Sequence, residues 1–202
     1  LSLHDALPIF VSARTREETY LPVFLRIRKE FSKWDKLTRE NQPRLTELIR
    51  PAGLARKKSE AILAALEVLR REYGVATLEP ARNLPDDLLE AYLLGLPGVD
   101  RKTARCIMLF SFGRQVLPVD THVFRISRRL GLTDRNRADL AHYDLDLAIP
   151  PALRHVFHVA CVSHGRQVCR AKDPKCRECC ITGFCQAWIH SSQIVGVPGK
   201  GE

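Results

Sequence analysis

A lysine and an aspartate, separated by one predicted helix and a short loop, could perform covalent chemistry in this chain. Lys102 follows the turn Gly95-Leu-Pro-Gly98, and Asp120 lies eighteen positions later, directly after the apolar run 116–119. A primary amine attacks an electrophilic carbon only while it is neutral, so its pKa must fall from about 10.4 toward the working pH. Burial and neighbouring cations lower a lysine pKa, whereas Asp120 alone would raise it. We therefore expect Lys102 to act as a nucleophile and Asp120 to stabilise positive charge in the transition state.

Each of these two residues also has a simpler role open to it. A lysine in the first turn of a helix can bind a phosphate as a point charge. Asp120 can serve only as the N-cap of the helix that follows it. The spacing alone leaves both alternatives open.

The turn before Lys102 favours an anion. A glycine-containing hairpin between two helices presents backbone N–H groups beside the positive end of the second helix dipole, where a phosphate is stabilised. An ordinary corner between two helices is the alternative. The expected phosphate site consists of Gly95, Pro97, Gly98, Val99, Arg101 and Thr103.

Four cysteines near the C-terminus indicate a metal site. They follow the pattern Cys169-x6-Cys176-x2-Cys179-x5-Cys185, and Cys180 is adjacent to the third. In a reducing compartment such a group favours metal binding over disulfides. Four thiolates can wrap an iron–sulfur cluster or hold a tetrahedral zinc ion, although the paired spacing of zinc ribbons is absent from this stretch.

Composition favours an anionic partner. The 202-residue chain has a formal net charge of +9, and arginine outnumbers lysine. This balance suits nucleic acid, although a solvated basic surface gives the same numbers. No apolar run approaches the roughly 20 residues of a membrane span, and no secretory signal is evident. We expect one or two domains, no membrane association, a monomer, and a cytoplasmic, nucleoid-associated location.

The elements that must position these groups are helices, and the predicted fold class is all-α. No segment shows sustained period-two alternation, while apolar residues recur at helical spacing and glycines punctuate the helix ends. A helix break is expected near Tyr20, because Pro22 suits a first helical turn. Predicted helices cover residues 10–19, 20–31, 38–49, 61–73, 85–94, 101–112, 121–130, 139–149 and 151–163.

Two stretches resemble a known family. Leu96-Pro-Gly-Val-Asp-Arg-Lys102-Thr-Ala and Pro118-Val-Asp120-Thr-His-Val are similar to the helix-hairpin-helix DNA glycosylases, most closely to endonuclease III. The resemblance implies that Lys102 forms a Schiff base and that Asp120 assists. It also implies that Cys169, Cys176, Cys179 and Cys185 hold a 4Fe–4S cluster, with Cys179 preferred over Cys180 because it keeps the family spacing.

The resemblance extends to a second DNA-contacting turn. Gly53-Leu54 with Lys58 is similar to the family's Gly-Leu-x-x-x-Lys turn, and residues 11–17 are similar to a stretch in which a glutamine enters the duplex. Leu54 would fill the gap left by a flipped base, Lys58 would contact DNA, and Arg14 occupies the glutamine position. The family usually has glycine where this chain has Asp100, which places a carboxylate beside the expected phosphate.

The resemblance implies two helical lobes and a repair activity. Residues 10–115 would form a barrel-like lobe with the hairpin, residues 116–190 a second lobe with the cluster loop 169–185, and residues 191–202 a disordered tail. The activity would be a DNA glycosylase with AP lyase activity on oxidised pyrimidines in double-stranded DNA, acting on damaged bases or abasic sites. A monofunctional glycosylase for mismatched, uracil or alkylated bases, and a non-catalytic iron–sulfur DNA-binding module, are the alternatives.

The first nine residues form a separate case. They read Leu-Ser-Leu-His-Asp-Ala-Leu-Pro-Ile, which is the translation of a widely used sequencing adapter. We therefore expect residues 1–9 to be non-native and the native chain to extend upstream of Phe10.

Overall fold

The computed structural model describes Ile9, Val11, Thr15 and residues 17–194. Arg14, residues 1–8 of the adapter-like segment and the tail beyond residue 194 lie outside this described part. Within it the chain is all-helical and contains no β-strand, which confirms the predicted fold class. The α-helices are α1 Glu17–Glu30, α2 Gln42–Ile49, α3 Ala55–Tyr73, α4 Asp86–Leu94, α5 Arg101–Ser111, α6 Thr121–Leu130, α7 Ala141–Ala148, α8 Arg154–Gln167 and α9 Gln186–Ile194.

The chain forms two compact units, Leu1–Arg114 and Gln115–Glu202. The first unit packs around α3, whose apolar residues recur at helical spacing and therefore share one face. Its largest fully buried side chains are Ile27, Leu37, Leu45, Ile49, Ile62, Leu66, Leu69, Leu89, Leu93, Ile107 and Met108. Two of these side chains, Ile107 and Met108, belong to α5, so this core anchors the helix that carries Lys102.

The break predicted near Tyr20 is wrong. One helix, α1, runs from Glu17 to Glu30 with Pro22 inside it. Its residues Val23, Phe24 and Ile27 are only 0–6 % exposed. Burial of this face stabilises the helix on both sides of the proline, so tertiary packing overrides the local cost of one missing N–H donor.

The second unit packs around α6 and α8. Its buried cluster consists of Leu117, Val119, Val123, Ile126, Ala141, Leu145, Ile149 and Cys161. The final helix α9 continues to Ile194, so residues 191–194, which were expected to belong to the tail, are helical. None of the described helices alone combines the length and apolarity of a bilayer span; the one combination that meets both criteria is Ala141–Ala148 with Pro151–Gln167, a pair bent by 104°.

Candidate active site and cysteine cavity

The hairpin between α4 and α5 depends on Gly98. Its φ of +75° lies in the left-handed region, which L side chains rarely adopt. A Cβ at this position would also lie 2.5 Å from the Cβ of Ala61 in α3. Leu96 and Val99 on either side are buried, and the Val99 N–H donates to the Leu96 carbonyl at 3.2 Å. The hairpin is therefore fastened to the core of the first unit.

Asp100 is the N-cap of α5. Its carboxylate accepts a hydrogen bond from the Thr103 N–H at 2.8 Å, and its φ of −88° is extended rather than left-handed. The Thr103 N–H thus already has an acceptor, and Thr103 is buried. These features do not favour a phosphate contact of Thr103, which stays a prediction. The N–H groups of Arg101 and Lys102 have no acceptor among the described residues. A phosphate at this helix start would therefore meet those two donors beside a carboxylate.

Lys102 is half-buried in the first turn of α5. Its amine forms no hydrogen bond or ion pair with any described residue. Two neighbouring arginines, unlike Lys102, form ion pairs: Arg101 and Arg105 both pair with Glu90, at 3.3 Å and 3.2 Å. The positive charges beside Lys102 are therefore partly offset, while its own amine keeps its full hydrogen-bonding capacity for a ligand.

Asp120 is the N-cap of α6, and one of its two oxygens does the capping. Oδ1 accepts from the N–H groups of His122 at 2.9 Å and Val123 at 2.8 Å. Oδ2 forms no hydrogen bond within the described part of the chain. Asp120 therefore does cap α6, and the two hydrogen bonds to Oδ1 hold the half-buried carboxylate in one orientation. Its second oxygen, Oδ2, remains available as an acceptor.

His122, next to this cap, lies against α8. The Arg125 guanidinium donates to His122 Nδ1 at 3.1 Å, so Nδ1 is the acceptor nitrogen of a neutral ring. A Cβ on Gly165 would lie 2.6 Å from the same nitrogen, so the glycine permits close packing of α6 and α8. Burial lowers the pKa of His122, and Arg125 and Arg166 lower it further, against an opposing effect of Asp120. The pairing of His122 with Arg125 spans one helical turn, and no sequence signal marks it.

Leu54 adopts a strained backbone at an exposed turn. Gly53 has φ +68°, and Leu54 has φ +52° and ψ +31°, the left-handed helical region. This conformation costs a non-glycine residue about 1–2 kcal/mol. The Leu54 side chain is nevertheless 50 % exposed, so burial offsets little of that cost.

Lys58 does not point toward solvent. It is 6 % exposed, and its Nζ donates to the Val11 carbonyl at 2.9 Å, Thr15 Oγ1 at 2.8 Å and the Ala52 carbonyl at 2.8 Å. Burial lowers the pKa of Lys58 to about 8. An ammonium that already uses its three donors inside the protein has none left for a phosphate. These contacts do not favour the predicted contact of Lys58 with DNA, which stays a prediction.

The four cysteines of the spaced pattern line one cavity of about 200 Å³. Arg129 and His164 lie in the same wall: Arg129 Nη1 donates to Cys169 Sγ at 3.0 Å, and His164 Nε2 is 3.5 Å from Cys179 Sγ. Cys180 is exposed and is not part of this wall. The cysteines that line it are Cys169, Cys176, Cys179 and Cys185.

The donor set of this cavity is made of thiols. Four cysteine thiolates can hold either an iron–sulfur cluster or a zinc ion. No three His, Cys, Asp or Glu side chains in the described part converge on a single ion. The four cysteines of the spaced pattern share one cavity, so the donors present fit a group held by thiolates.

Comparisons with known proteins agree with this geometry. Residues 8–151 match the model of the HhH-GPD superfamily base excision DNA repair proteins. Endonuclease III of Thermotoga maritima is 32 % identical over 192 residues, which cover 95 % of this chain and 83 % of that protein. Endonuclease III of Rickettsia felis is 32 % identical over 183 residues, which cover 89 % of this chain and 80 % of that protein.

Solved structures of endonuclease III share the fold. A non-covalent complex of endonuclease III with DNA superposes with a TM-score of 0.79 at 26 % identity, covering 93 % of this chain and 84 % of that one. A trapped covalent intermediate of endonuclease III with DNA gives the same TM-score over 92 % of this chain and 84 % of that one. The chain therefore belongs to the HhH-GPD superfamily of base excision DNA repair proteins, as an endonuclease III-like DNA glycosylase.

Proposed function

We propose that this glycosylase is bifunctional and uses Lys102 both to release a damaged base and to cleave the strand as an AP lyase. The observation that carries the proposal is the Lys102 amine itself. It is half-buried at the start of α5, directly after the Gly98 hairpin, and has no partner among the described residues. A structural lysine that only neutralised a carboxylate would have an ion pair, as Arg105 has with Glu90.

The proposed reaction begins with extrusion of the damaged nucleotide from the duplex, which costs unstacking energy. The neutral Lys102 Nζ attacks C1′ of the sugar, the bond from C1′ to the base breaks, and the base leaves with the bonding electrons and takes up a proton. The Lys102 nitrogen then loses a proton, the C1′–O4′ bond breaks, and O4′ takes up a proton, which opens the sugar ring and leaves a protonated Schiff base between the nitrogen and C1′. Loss of a proton from C2′ then expels the 3′ phosphate, breaking the C3′–O bond.

Asp120 would stabilise the positive charge that develops on the sugar and carry protons between steps. Support comes from its fixed orientation, since Oδ1 is held by two N–H groups and Oδ2 remains uncommitted among the described residues. Leu54 would fill the space left by the extruded base, and its exposure and strained backbone support that role.

The proposed substrates are oxidised or ring-saturated pyrimidines in double-stranded DNA, and abasic sites. The similarity to endonuclease III supports this choice, and two solved endonuclease III structures contain DNA. We propose further that the protein acts as a monomer in the cytoplasm, associated with the nucleoid. The net charge of +9 supports attraction to DNA.

A 4Fe–4S cluster is the proposed cofactor, held by Cys169, Cys176, Cys179 and Cys185. When bound, it would tie the loop together rather than take part in bond breaking. The loop carries Arg170, Lys172 and Arg177, whose charges would then face phosphate groups.

Borohydride trapping on duplex DNA with an oxidised pyrimidine tests the proposal. Reduction of the Schiff base should link the wild-type protein covalently to DNA, and Lys102→Ala should abolish the link while retaining duplex binding. Lys57→Ala, which removes an exposed lysine without a partner among the described residues, should be trapped like the wild type. A trapped Lys102→Ala protein would exclude Lys102 as the nucleophile, and an untrapped wild type would favour a monofunctional enzyme.

A further inference from the structure

Lys58 joins three separate pieces of backbone in the first unit. Its ammonium bonds to the Val11 carbonyl, 47 residues away, to the Thr15 hydroxyl, 43 residues away, and to the Ala52 carbonyl. The Thr15 hydroxyl also donates to the Ala52 carbonyl, which closes a ring of hydrogen bonds. All three acceptors of Lys58 are neutral, so no ion pair offsets the cost of burying its charge. The three hydrogen bonds use every donor of the ammonium and hold the three acceptors close to one another.

The geometry imposed is that of the Leu54 turn. Ala52 directly precedes Gly53 and Leu54, whose φ angles are both positive. Lys58 grips both ends of this turn, because its Nζ binds the Ala52 carbonyl and its backbone N–H donates to the Leu54 carbonyl at 3.0 Å. Strained backbone persists only where the surroundings over-determine it, and Lys58 supplies two of the constraints.

The same amine also fixes the N-terminal segment. Val11 and Thr15 lie on either side of Arg14 in the sequence, and Arg14 itself lies outside the described residues. One side chain therefore connects the Leu54 turn to both Val11 and Thr15.

We propose that Lys58 is a positioning residue for base extrusion: it holds Leu54 in the conformation that enters the duplex and ties Val11 and Thr15 to the same turn. This inference rests on the proposed function, since it assigns Leu54 to the gap left by an extruded base. It predicts that loss of the Lys58 amine impairs extrusion without impairing the chemistry of Lys102.

Lys58→Met tests this against a matched control, Lys57→Met. Lys57 is adjacent and exposed, so its substitution makes the same change in charge without breaking an internal hydrogen bond. We expect Lys58→Met to lower the single-turnover rate of base release from duplex DNA about 10- to 100-fold, the scale of a misplaced active group. Strand cleavage at a preformed abasic site in single-stranded DNA needs no extrusion, so its rate should change less than about 2-fold. Lys58→Gln keeps an amide donor, so its rate of base release from duplex DNA should lie between those of the wild type and Lys58→Met.

A double-mutant cycle separates positioning from general stability. If Lys58 acts through Leu54, adding Lys58→Met to a Leu54→Asn protein should cause no further loss of base release. Additive losses, or equal losses on duplex and single-stranded substrates, would overturn the assignment.

Hydrogen exchange tests the inference without any enzymatic activity, so failure of the proposed function would not hide its failure. In the DNA-free protein, Lys58→Met should raise amide exchange in peptides covering residues 50–58 while peptides covering 101–111 remain at the wild-type rate. Lys57→Met should leave both unchanged. A uniform rise in both peptides would show that Lys58 merely stabilises the fold and would refute the positioning role.

Discussion

The carboxylate of Asp100 accepts a hydrogen bond from the Thr103 N–H at 2.8 Å, so an acidic side chain caps the helix start that carries Lys102. The cap stabilises α5, and it also places a negative charge where the hairpin would receive a phosphate. Repulsion across about 4 Å costs about 1–4 kcal/mol at effective dielectric constants of about 80 to 20. Folding and DNA binding therefore make opposite demands on this residue.

Asp100→Asn should separate the two demands. Asparagine caps helices about as well as aspartate, so the free energy of unfolding should change by less than about 0.5 kcal/mol. Removal of the charge should tighten duplex binding about 10-fold and steepen the dependence of log K on log salt by about 0.9. Fluorescence anisotropy over a series of KCl concentrations measures both quantities. Asp100→Gly should also tighten binding, with a loss of a few tenths of a kcal/mol in stability. Unchanged or weaker affinity in both variants would place the phosphate elsewhere.

Leu54→Asn should lower the rate of base release without lowering the stability of the fold. Asparagine tolerates the left-handed backbone that Leu54 adopts at φ +52°, so the free energy of unfolding should stay level or rise by about 0.5–1 kcal/mol. Base release from duplex DNA should fall at least about 10-fold, because a small polar side chain stacks poorly in the gap left by an extruded base. The control is Leu88→Asn, since Leu88 in α4 is 54 % exposed and has no positive φ. A destabilised Leu54→Asn protein would show that the turn carries no strain for this substitution to relieve.

Gly98→Ala should destabilise the hairpin for two separable reasons. The φ of +75° costs alanine about 1–2 kcal/mol, and the new Cβ lies 2.5 Å from that of Ala61. Ala61→Gly removes the second cause at its own cost of about 0.5–1 kcal/mol for a helical glycine. The loss in the free energy of unfolding of the double variant, measured by chemical denaturation, should therefore be about 1 kcal/mol smaller than the sum of the losses in the two single variants. Strict additivity would mean that the hairpin moves away from α3 to admit the methyl group.

Much of this arrangement follows from local sequence. Gly98 and Gly131 stand where the chain needs a positive φ, and Asp120, whose position allows an N-cap role, accepts N–H groups two and three residues downstream. Such features depend on a few neighbouring residues, so patterns of glycine, proline and acidic caps predict them. The all-helical fold class follows from the same local periodicity.

Features that depend on distant partners could not be predicted in this way. The local sequence predicts that Lys58 is an exposed cation. Its burial depends on hydrogen bonds to Val11 and Thr15, which lie more than forty residues away. Pro22 reads as a helix start, and burial of Val23 and Ile27 carries the helix through it. Burial is decided by tertiary packing, on which a single sequence gives little information.

Stability should decrease in weak acid because of His122. Burial and two arginines hold the pKa of this histidine below its ordinary value of 6.5, so the folded state resists the proton that the unfolded chain accepts. The free energy of unfolding should therefore fall as the pH drops through about 6.5, where the unfolded state binds more protons. Denaturation curves at about pH 7 and about pH 5 measure the loss.

His122→Asn isolates this contribution from the other histidines. An asparagine carbonyl can accept the hydrogen bond that Arg125 donates to Nδ1, and it does not titrate. The variant should keep wild-type stability near neutral pH and lose less of it in acid. An identical pH dependence in the two proteins would mean that another group titrates on unfolding.

The two adjacent cysteines should respond differently to substitution. Cys179 lies in the wall of the cysteine cavity, where His164 Nε2 is 3.5 Å from its sulfur, whereas Cys180 is exposed outside that wall. Cys180→Ser should therefore retain the visible absorbance, iron and acid-labile sulfide of the wild-type protein. Cys179→Ser replaces a soft thiolate ligand with a hydroxyl and should lose a large part of all three. The reverse pattern would assign the third thiolate of the set to Cys180 in place of Cys179.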